Sequence, residues 1–175
     1  MIFVPARLAG AYLIEPTPYS DERGVFFRSF CEDEFARHGL ETRFPQHSIS
    51  ISRRAGTLRG LHFQRAPHQE VKVVRCVSGA IVDVIADLRP DSPTYRQWQA
   101  FDLSARNGHQ VYVPKGFAHG CLTLTDDAAV SYLISTPYVP DASSGVRFDD
   151  PKLGISWPGE ITTMSERDQT WPLLD

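Results

Sequence analysis

The sequence predicts an all-β fold, a double-sheet jelly roll with short helices only at its periphery. Most of the chain consists of short runs rich in β-branched and aromatic residues, each ended by Gly, Pro, Asp or Ser. A convincing early helix is confined to Glu32 to His38, where acidic residues open the run and Gly39 follows it. So many strands in one chain favour two sheets packed face to face. The length of 175 residues fits a single domain spanning 1–175.

Individual strands are predicted where β-rich runs lie between turn residues, at 71–77, 81–88, 97–103, 109–113, 122–124 and 129–135. Ser78-Gly79-Ala80 separates the first two runs, which predicts a hairpin. Alternation along the second run places Val82 on one face and Asp83 and Asp87 on the other. After Tyr138, the density of Pro, Asp, Ser and Gly predicts long loops that close over the sheet.

The net charge, the N-terminal sequence and the cysteine spacing exclude several functions and locations. A net charge of -3 and a pI near 6.1 give no electrostatic indication of binding to nucleic acid or to an anionic membrane, so a nucleic-acid-binding role is not expected. Pro5 and Arg7 interrupt the N-terminal apolar run, so we expect neither a secretory leader nor a membrane span, and a cytoplasmic location. Cys31, Cys76 and Cys121 lack metal or redox spacing and are expected to be buried free thiols.

A histidine and several cations interrupt apolar runs in the middle of the chain. Arg59 and His62 lie among leucines and a phenylalanine in the stretch 56–64, and Lys72 and Arg75 interrupt the next run. A strand histidine with apolar neighbours is more often structural than catalytic, whereas a cation that faces inward needs an anionic partner. Several cations directed into one barrel suggest an anionic ligand. A diphosphate is the natural candidate, because Arg can bind its oxygens in bidentate fashion.

The stretch 108–120 fits the pattern G-x5-P-x-G-x2-H, which ends at His119. This pattern resembles the second motif of cupin barrels, in which a Pro-Gly turn after a strand places a histidine at the pocket. Metal-binding cupins also carry H-x-H on an earlier strand, which this chain lacks, so we expect no metal site. His119 is interpreted either as a wall or ligand contact of the pocket or as a buried, hydrogen-bonded side chain.

Tyr132 and Asp168 are weaker candidates from pattern alone. Tyr132 alternates with Val130 and Ile134, which directs its hydroxyl into an apolar interior where a phenol needs a partner. Structural tyrosines of this kind are common, so the pattern leaves both a structural and a catalytic interpretation open. Asp168 ends the segment Ser165-Glu-Arg-Asp168, which also fits a capping box at the start of a helical turn.

Together these motifs resemble the dTDP-4-dehydrorhamnose 3,5-epimerase family, cupin-fold enzymes of nucleotide-sugar and cell-surface polysaccharide biosynthesis. The resemblance covers nearly the whole chain, and its most specific elements are L-R-G-L-H-F-Q at 58–64 and P-x-G-F-A-H-G at 114–120. Arg28 departs from the family pattern, which usually has Glu near the nucleotide. The other matches are Asp21 to Phe26, Lys72 to Arg75, Asp83, Asp87, Ser92 to Thr94, Tyr132, Tyr138, Asp150-Pro151, Gly154 to Pro158, and Ser165 to Asp168.

The resemblance implies catalytic roles for four residues. His62 would remove protons next to the C4 ketone of a 4-keto-6-deoxyhexose, and Asp168 would orient its imidazole. Lys72 would stabilise the negative charge on the enolate oxygen. Tyr132 would return the proton from the opposite face of the sugar as a general acid. No nicotinamide, metal or other cofactor is implied.

The resemblance also implies how the substrate is held. Arg23 and Arg59 would bind the diphosphate, Phe26 and Tyr138 would contact the nucleoside, and His119 would line the sugar pocket. Family members are homodimers whose sites are completed across the interface. Arg23 and Phe26 are therefore expected to serve the partner's site.

Several alternatives stay open at this point. One is an epimerase that inverts only C3 or only C5, on a sugar linked to dTDP, CDP or GDP. Another is a non-catalytic cupin that binds a sugar nucleotide, and a third is a metal-dependent cupin oxygenase. His62, Asp168 and Tyr132 are all present at the positions where the family resemblance implies catalytic residues, which favours catalysis over binding alone.

Overall fold

Two antiparallel sheets form the body of the protein in the computed structural model, which describes all 175 residues. This arrangement confirms the predicted jelly roll. The six-stranded sheet contains, in spatial order, Ile2–Pro5 (β1), Tyr12–Glu15 (β2), Gln110–Val113 (β10), Lys72–Ser78 (β7), Ala128–Ile134 (β12) and Gln46–Ser52 (β5). The five-stranded sheet contains Ser143–Gly145 (β13), Leu58–Gln64 (β6), Phe117–Thr123 (β11), Ala80–Asp87 (β8) and Trp98–Ser104 (β9). A separate hairpin contains Tyr19–Asp21 (β3) and Gly24–Phe26 (β4).

Helices are short and peripheral, as the sequence predicts. The first, Glu32–Arg37 (α1), ends one residue before the predicted limit, because His38 is already its cap. The second, Glu166–Gln169 (α2), begins after Ser165, whose side chain accepts a hydrogen bond from the backbone N–H of Asp168. None of the helices has the length and apolar character needed to cross a membrane.

The predicted hairpin between the runs 71–77 and 81–88 is wrong. β7 pairs with β10 and β12 in the six-stranded sheet, whereas β8 pairs with β11 and β9 in the five-stranded sheet. Gly79 forms the corner between the sheets with a φ of +73°, a conformation that favours glycine. The chain does turn at Gly79, as the sequence indicates. However, β7 and β8 each pair with other strands along both of their edges, so they do not pair with each other.

The segment after Tyr138 is more ordered than the predicted loops. Pro140–Ala142 forms a single 3-10 turn, and β13 then pairs with β6. This pairing places Gly145 opposite His62. The segment after β12 therefore joins the five-stranded sheet and lies beside His62, a predicted site residue.

The main core lies between the two sheets. Val74 and Val130 from one sheet and Ile85 from the other belong to one cluster of 14 buried residues. Cys76 and Cys121 are buried free thiols within it, as predicted, whereas Cys31 is only partly buried. Burying apolar side chains from two facing sheets supplies the main favourable free energy of such a sandwich.

Asp87, at the end of β8, anchors the loop that follows. Its buried carboxylate accepts hydrogen bonds from the side chains of Arg89, Ser92 and Thr94. Burial opposes its ionisation, but these donors outweigh that effect and lower the pKa of Asp87 to about 2. The resulting stabilisation is present above the ordinary Asp pKa and is lost as the pH falls through the folded value.

Candidate active site

A cavity of about 450 Å³ opens between the two sheets, beside the apolar core. Most of the residues that line it are polar or charged, which distinguishes this end of the sandwich from the interior. Six of the nine predicted site residues line it, namely Arg59, His62, Lys72, His119, Tyr132 and Tyr138. Asp168 contacts one of these residues from behind the wall, whereas Arg23 and Phe26 lie elsewhere.

His62 and His119 stand side by side on the five-stranded sheet. They are register partners on the antiparallel strands β6 and β11, so their side chains share one face. β6 and β11 approach each other closely at Gly60 and Gly120. A Cβ on Gly60 would lie only 2.5 Å from the Cα of Gly120, so a larger residue does not fit there. Gly60 also has a φ of +127°, which other residues rarely adopt. The glycines of both motifs thus allow the two histidines to meet at one wall.

His62 is held by a carboxylate from the C-terminal segment. Its Nε2 lies 2.6 Å from Oδ1 of Asp168, and the indole N–H of Trp171 donates to the same oxygen. The backbone N–H of Gly60 donates to Oδ2. Burial opposes ionisation of Asp168, but these three hydrogen bonds outweigh it, so the pKa of Asp168 lies below its ordinary value. An ionised Asp168 fixes Nε2 as the protonated nitrogen and leaves Nδ1 free to accept a proton.

His119 forms a second, deeper pair with Asp83. Its Nε2 lies 2.6 Å from Oδ2 of Asp83, and both side chains are almost completely buried. No sequence pattern connects these two residues. Asp83 lies between apolar residues of the run 80–87, and a buried carboxylate requires a hydrogen-bond partner. This position could therefore have indicated that Asp83 has a polar partner elsewhere in the chain. His119 therefore combines its two interpretations: it is hydrogen-bonded inside the sheet, and its ring lines the cavity.

Tyr132 faces the histidines from the other sheet. It lies on β12, its ring contacts His119 edge to face at a centroid distance of 6.0 Å, and its hydroxyl lies 3.3 Å from Oγ of Ser50. Burial raises the pKa of Tyr132 well above its ordinary value, and the neighbouring Cys121 adds to the effect. The phenol therefore stays protonated at neutral pH.

Lys72 enters the cavity from β7, on the same sheet as Tyr132. Its Nζ lies 3.0 Å from Oε1 of Glu70 and donates a long hydrogen bond of 3.5 Å to the carbonyl oxygen of His62. Glu70 was not predicted as a site residue, because no motif in the sequence includes it. The lysine thus connects the two walls of the cavity.

Two arginines supply further positive charge to the cavity. Arg59 donates from Nε to Oγ of Ser52 and from Nη2 to the carbonyl of Ile51. Arg167 was not predicted as a site residue. It donates to Oγ of Ser143 and lowers the pKa of the exposed Tyr138 by hydrogen bonding. Neither guanidinium forms a salt bridge, so both are free to bind an anion.

The prediction that Arg75 points toward the same ligand is wrong. Strand alternation places Arg75 on the opposite face of β7 from Lys72, in a different cavity beside Phe30 and Phe44. Its guanidinium lies over the ring of Phe27, with the central carbon 4.6 Å from the ring centroid.

Arg23 and Phe26 lie on the β3–β4 hairpin, outside this chain's own cavity. The Phe26 side chain is exposed, and Arg23 pairs only with Asp21 of the same hairpin. The strands of the hairpin pair only with each other. Arg28, which follows the hairpin, forms an ion pair with Glu34. Within one chain, the predicted diphosphate and nucleoside contacts from this segment are therefore not brought to the site.

Known proteins resemble this chain in both sequence and fold. The sequence pattern of the dTDP-4-dehydrorhamnose 3,5-epimerase family matches residues 5–175. The dTDP-4-dehydrorhamnose 3,5-epimerase of Methanothermobacter thermautotrophicus is 46% identical over 98% of this chain and 94% of its own length.

Solved structures of such epimerases superimpose closely. The enzyme from Bacillus anthracis, with TDP and pyrophosphate bound, is 42% identical and has a TM-score of 0.96 over 99% of both chains. The enzyme from Legionella pneumophila, in complex with dTDP-4-keto-L-rhamnose, is 36% identical, with a TM-score of 0.93 over 98% of this chain and 92% of its own.

Proposed function

Because this chain belongs to the dTDP-4-dehydrorhamnose 3,5-epimerase family, we propose that its cavity inverts C3 and C5 of dTDP-4-dehydro-6-deoxyglucose by two-sided proton transfer. The observation that carries the proposal is the placement of His62 and Tyr132. They reach one cavity from opposite sheets. Inversion of a carbon centre needs a base on one face and an acid on the other.

His62 is the general base. Its Nδ1 takes the proton from C3 or C5. The electron pair of the broken C–H bond forms a double bond to C4, and the π electrons of the carbonyl move to its oxygen to give an enolate. Asp168 stabilises the imidazolium that results, because its carboxylate bonds the other ring nitrogen. Lys72 provides the positive charge that favours the enolate oxygen over the neutral ketone. The ketone itself acidifies both neighbouring carbons, so no redox partner takes part.

Tyr132 is the general acid. Its hydroxyl gives a proton to the face of the carbon opposite His62, and the enolate collapses back to the ketone with inverted configuration. The phenolate and the imidazolium then re-equilibrate with solvent before the second centre reacts. Because burial raises the pKa of the Tyr132 phenol, its hydroxyl is protonated before each step.

The anionic part of the substrate is bound by the free arginines. Arg59 and Arg167 line the cavity without carboxylate partners, which suits a diphosphate. Tyr138 is exposed at the same opening and offers an aromatic face to the nucleoside. His119, fixed by Asp83, contacts the sugar.

Proton exchange with solvent tests this function directly. Incubating the protein with dTDP-4-keto-6-deoxyglucose in deuterated water should place deuterium at both C3 and C5, with formation of dTDP-4-dehydrorhamnose, as followed by NMR. Deuterium at only one carbon would indicate a mono-epimerase. Binding without exchange at either carbon would contradict the proposed reaction and favour a sugar-nucleotide-binding protein.

A homodimer in which the β3–β4 hairpin completes the partner's site accounts for the exposed residues of that hairpin. Tyr19, Val25 and Phe26 are 69%, 63% and 76% exposed, although their side chains are apolar or aromatic. Ile49 and Ile51 on the edge strand β5 are also largely exposed, beside residues that line the cavity. Apolar patches of this kind mark interaction surfaces.

Mixing two impaired variants tests whether sites are shared between subunits. Arg23→Ala should raise KM about tenfold or more, because a charge-assisted contact to the diphosphate is lost. After subunit exchange with the inactive His62→Ala variant, mixed dimers should regain one native site, which takes His62 from one subunit and Arg23 from the other. Mixtures that never exceed the sum of the separate activities would contradict shared sites.

A further inference from the structure

Glu70 is the only carboxylate among the residues that line the cavity. Its Oε1 lies 3.0 Å from Nζ of Lys72, and its Oε2 is buried with no hydrogen-bond partner. The side chains of Glu70 and Lys72 are only 6% and 14% exposed, respectively. The other charged or titratable side chains that face the cavity are Arg59, His62, His119, Tyr132, Tyr138 and Arg167.

Stability alone is a poor explanation for this pair. Removing two charges from water costs several kcal/mol per ion, and the attraction between them repays this only with good geometry and satisfied hydrogen bonds. Here one carboxylate oxygen of Glu70 has no partner at all. Well-packed apolar side chains would serve the fold at least as well as this arrangement does.

The backbone around Glu70 is fixed on both sides. The carbonyl oxygen of Gln69 accepts a hydrogen bond from Oγ1 of Thr136, and the N–H of Val71 donates to Oγ of Ser135. The N–H of Ser135 in turn donates to the carbonyl of Val71. The carboxylate is therefore presented from a rigid segment, two residues before Lys72, on the side of the cavity where the lysine enters.

An unrestrained lysine would be drawn away from the sugar. Its ammonium is a point charge on a flexible four-carbon stem, and a diphosphate in the same cavity is a strong competitor for it. We propose that Glu70 is a positioning residue that holds the Lys72 ammonium at the enolate oxygen and leaves the diphosphate to Arg59 and Arg167. This inference rests on the proposed function of Lys72.

The test compares Glu70→Gln, Glu70→Asp and Lys72→Met with the double variant Glu70→Gln/Lys72→Met. Glu70→Gln should lower kcat for C3 and C5 deuterium exchange about tenfold, while dTDP binds at least as tightly as to the wild type because the freed lysine can approach the diphosphate. Glu70→Asp, which keeps the charge on a shorter stem, should fall between the wild type and Glu70→Gln. The double variant should be no slower than Lys72→Met alone, since without the lysine there is nothing to position.

A matched control is Glu160→Gln, which removes the charge of an exposed carboxylate outside the cavity and should leave kcat unchanged. Wild-type kcat in Glu70→Gln would overturn the inference. An equal loss of kcat in the Lys72→Met background, with weakened dTDP binding, would also overturn it, because that is the signature of general structural damage. Wild-type exchange by Lys72→Met itself would instead refute the proposed role of the lysine, and the inference with it.

Discussion

Replacing His62 with alanine should reduce deuterium exchange at C3 and C5 by about 10³- to 10⁴-fold, while the protein stays folded. The variant lacks the only group proposed to take a proton from either carbon. Folding should survive because Asp168 keeps two other donors, the backbone N–H of Gly60 and the indole N–H of Trp171. NMR of the substrate in deuterated water measures the exchange, and thermal unfolding followed by circular dichroism measures the fold.

The matched control for this variant is His38→Ala. His38 is exposed, caps α1 and lies outside the cavity, so its loss should leave exchange unchanged. Exchange at the wild-type rate in His62→Ala would show that a different base acts at both carbons. The only other histidine in the cavity wall is His119, whose Nε2 is already bonded to Asp83.

Replacing Tyr132 with phenylalanine should separate proton removal from inversion. We expect formation of dTDP-4-dehydrorhamnose to fall about 10²- to 10³-fold, because the far face of the sugar loses its proton donor. Exchange should stay within about tenfold of the wild type, since His62 can still remove a proton and return solvent deuterium to the same face. Because burial raises the pKa of Tyr132, wild-type inversion should not decline through loss of this proton as the pH rises from neutral to about 10.

Tyr112→Phe is a close control for that variant. It also removes one hydroxyl from a buried tyrosine whose pKa is raised by burial, but this hydroxyl accepts a hydrogen bond from the backbone N–H of Glu41, outside the cavity. If Tyr132→Phe loses exchange and inversion in parallel, then the phenol is needed for proton removal as well, and the assignment of separate acid and base is wrong.

Local pattern was enough to predict most of the strands that follow residue 70. Five of the six predicted runs differ from the observed strands by at most one residue at either end, as in Ala128–Ile134. The sixth, at 122–124, begins five residues earlier at Phe117, because the strand starts at once after the turn at Gly116. Alternation and turn residues act within a few residues, so one sequence can reveal them.

The edge strand β5 was not predicted, and the reason is physical. Its serines face the polar cavity, whereas Ile49 and Ile51 face outward and are more than half exposed. The alternation is clear in the sequence, but its apolar side is not the side that packs in this sandwich. Serine also has little preference for strands, so the run lacks a compositional signal.

Pairings between distant residues could not be derived from pattern. The hairpin at Gly79 was wrong because a turn signal does not specify which sheet the next strand joins. The pairs His62–Asp168 and His119–Asp83 join residues 106 and 36 positions apart. The first was implied only by the family resemblance, and the second was found only when β8 and β11 were seen side by side.

The central claim is that a base and an acid act on opposite faces of one sugar ring. A crystal structure with dTDP-glucose, which lacks the ketone and cannot react, measures this most directly. We predict that C3 or C5 lies within about 3.5 Å of Nδ1 of His62 on one face and of the Tyr132 hydroxyl on the other. Both groups on the same face of the ring, or either one out of reach of it, would contradict the account.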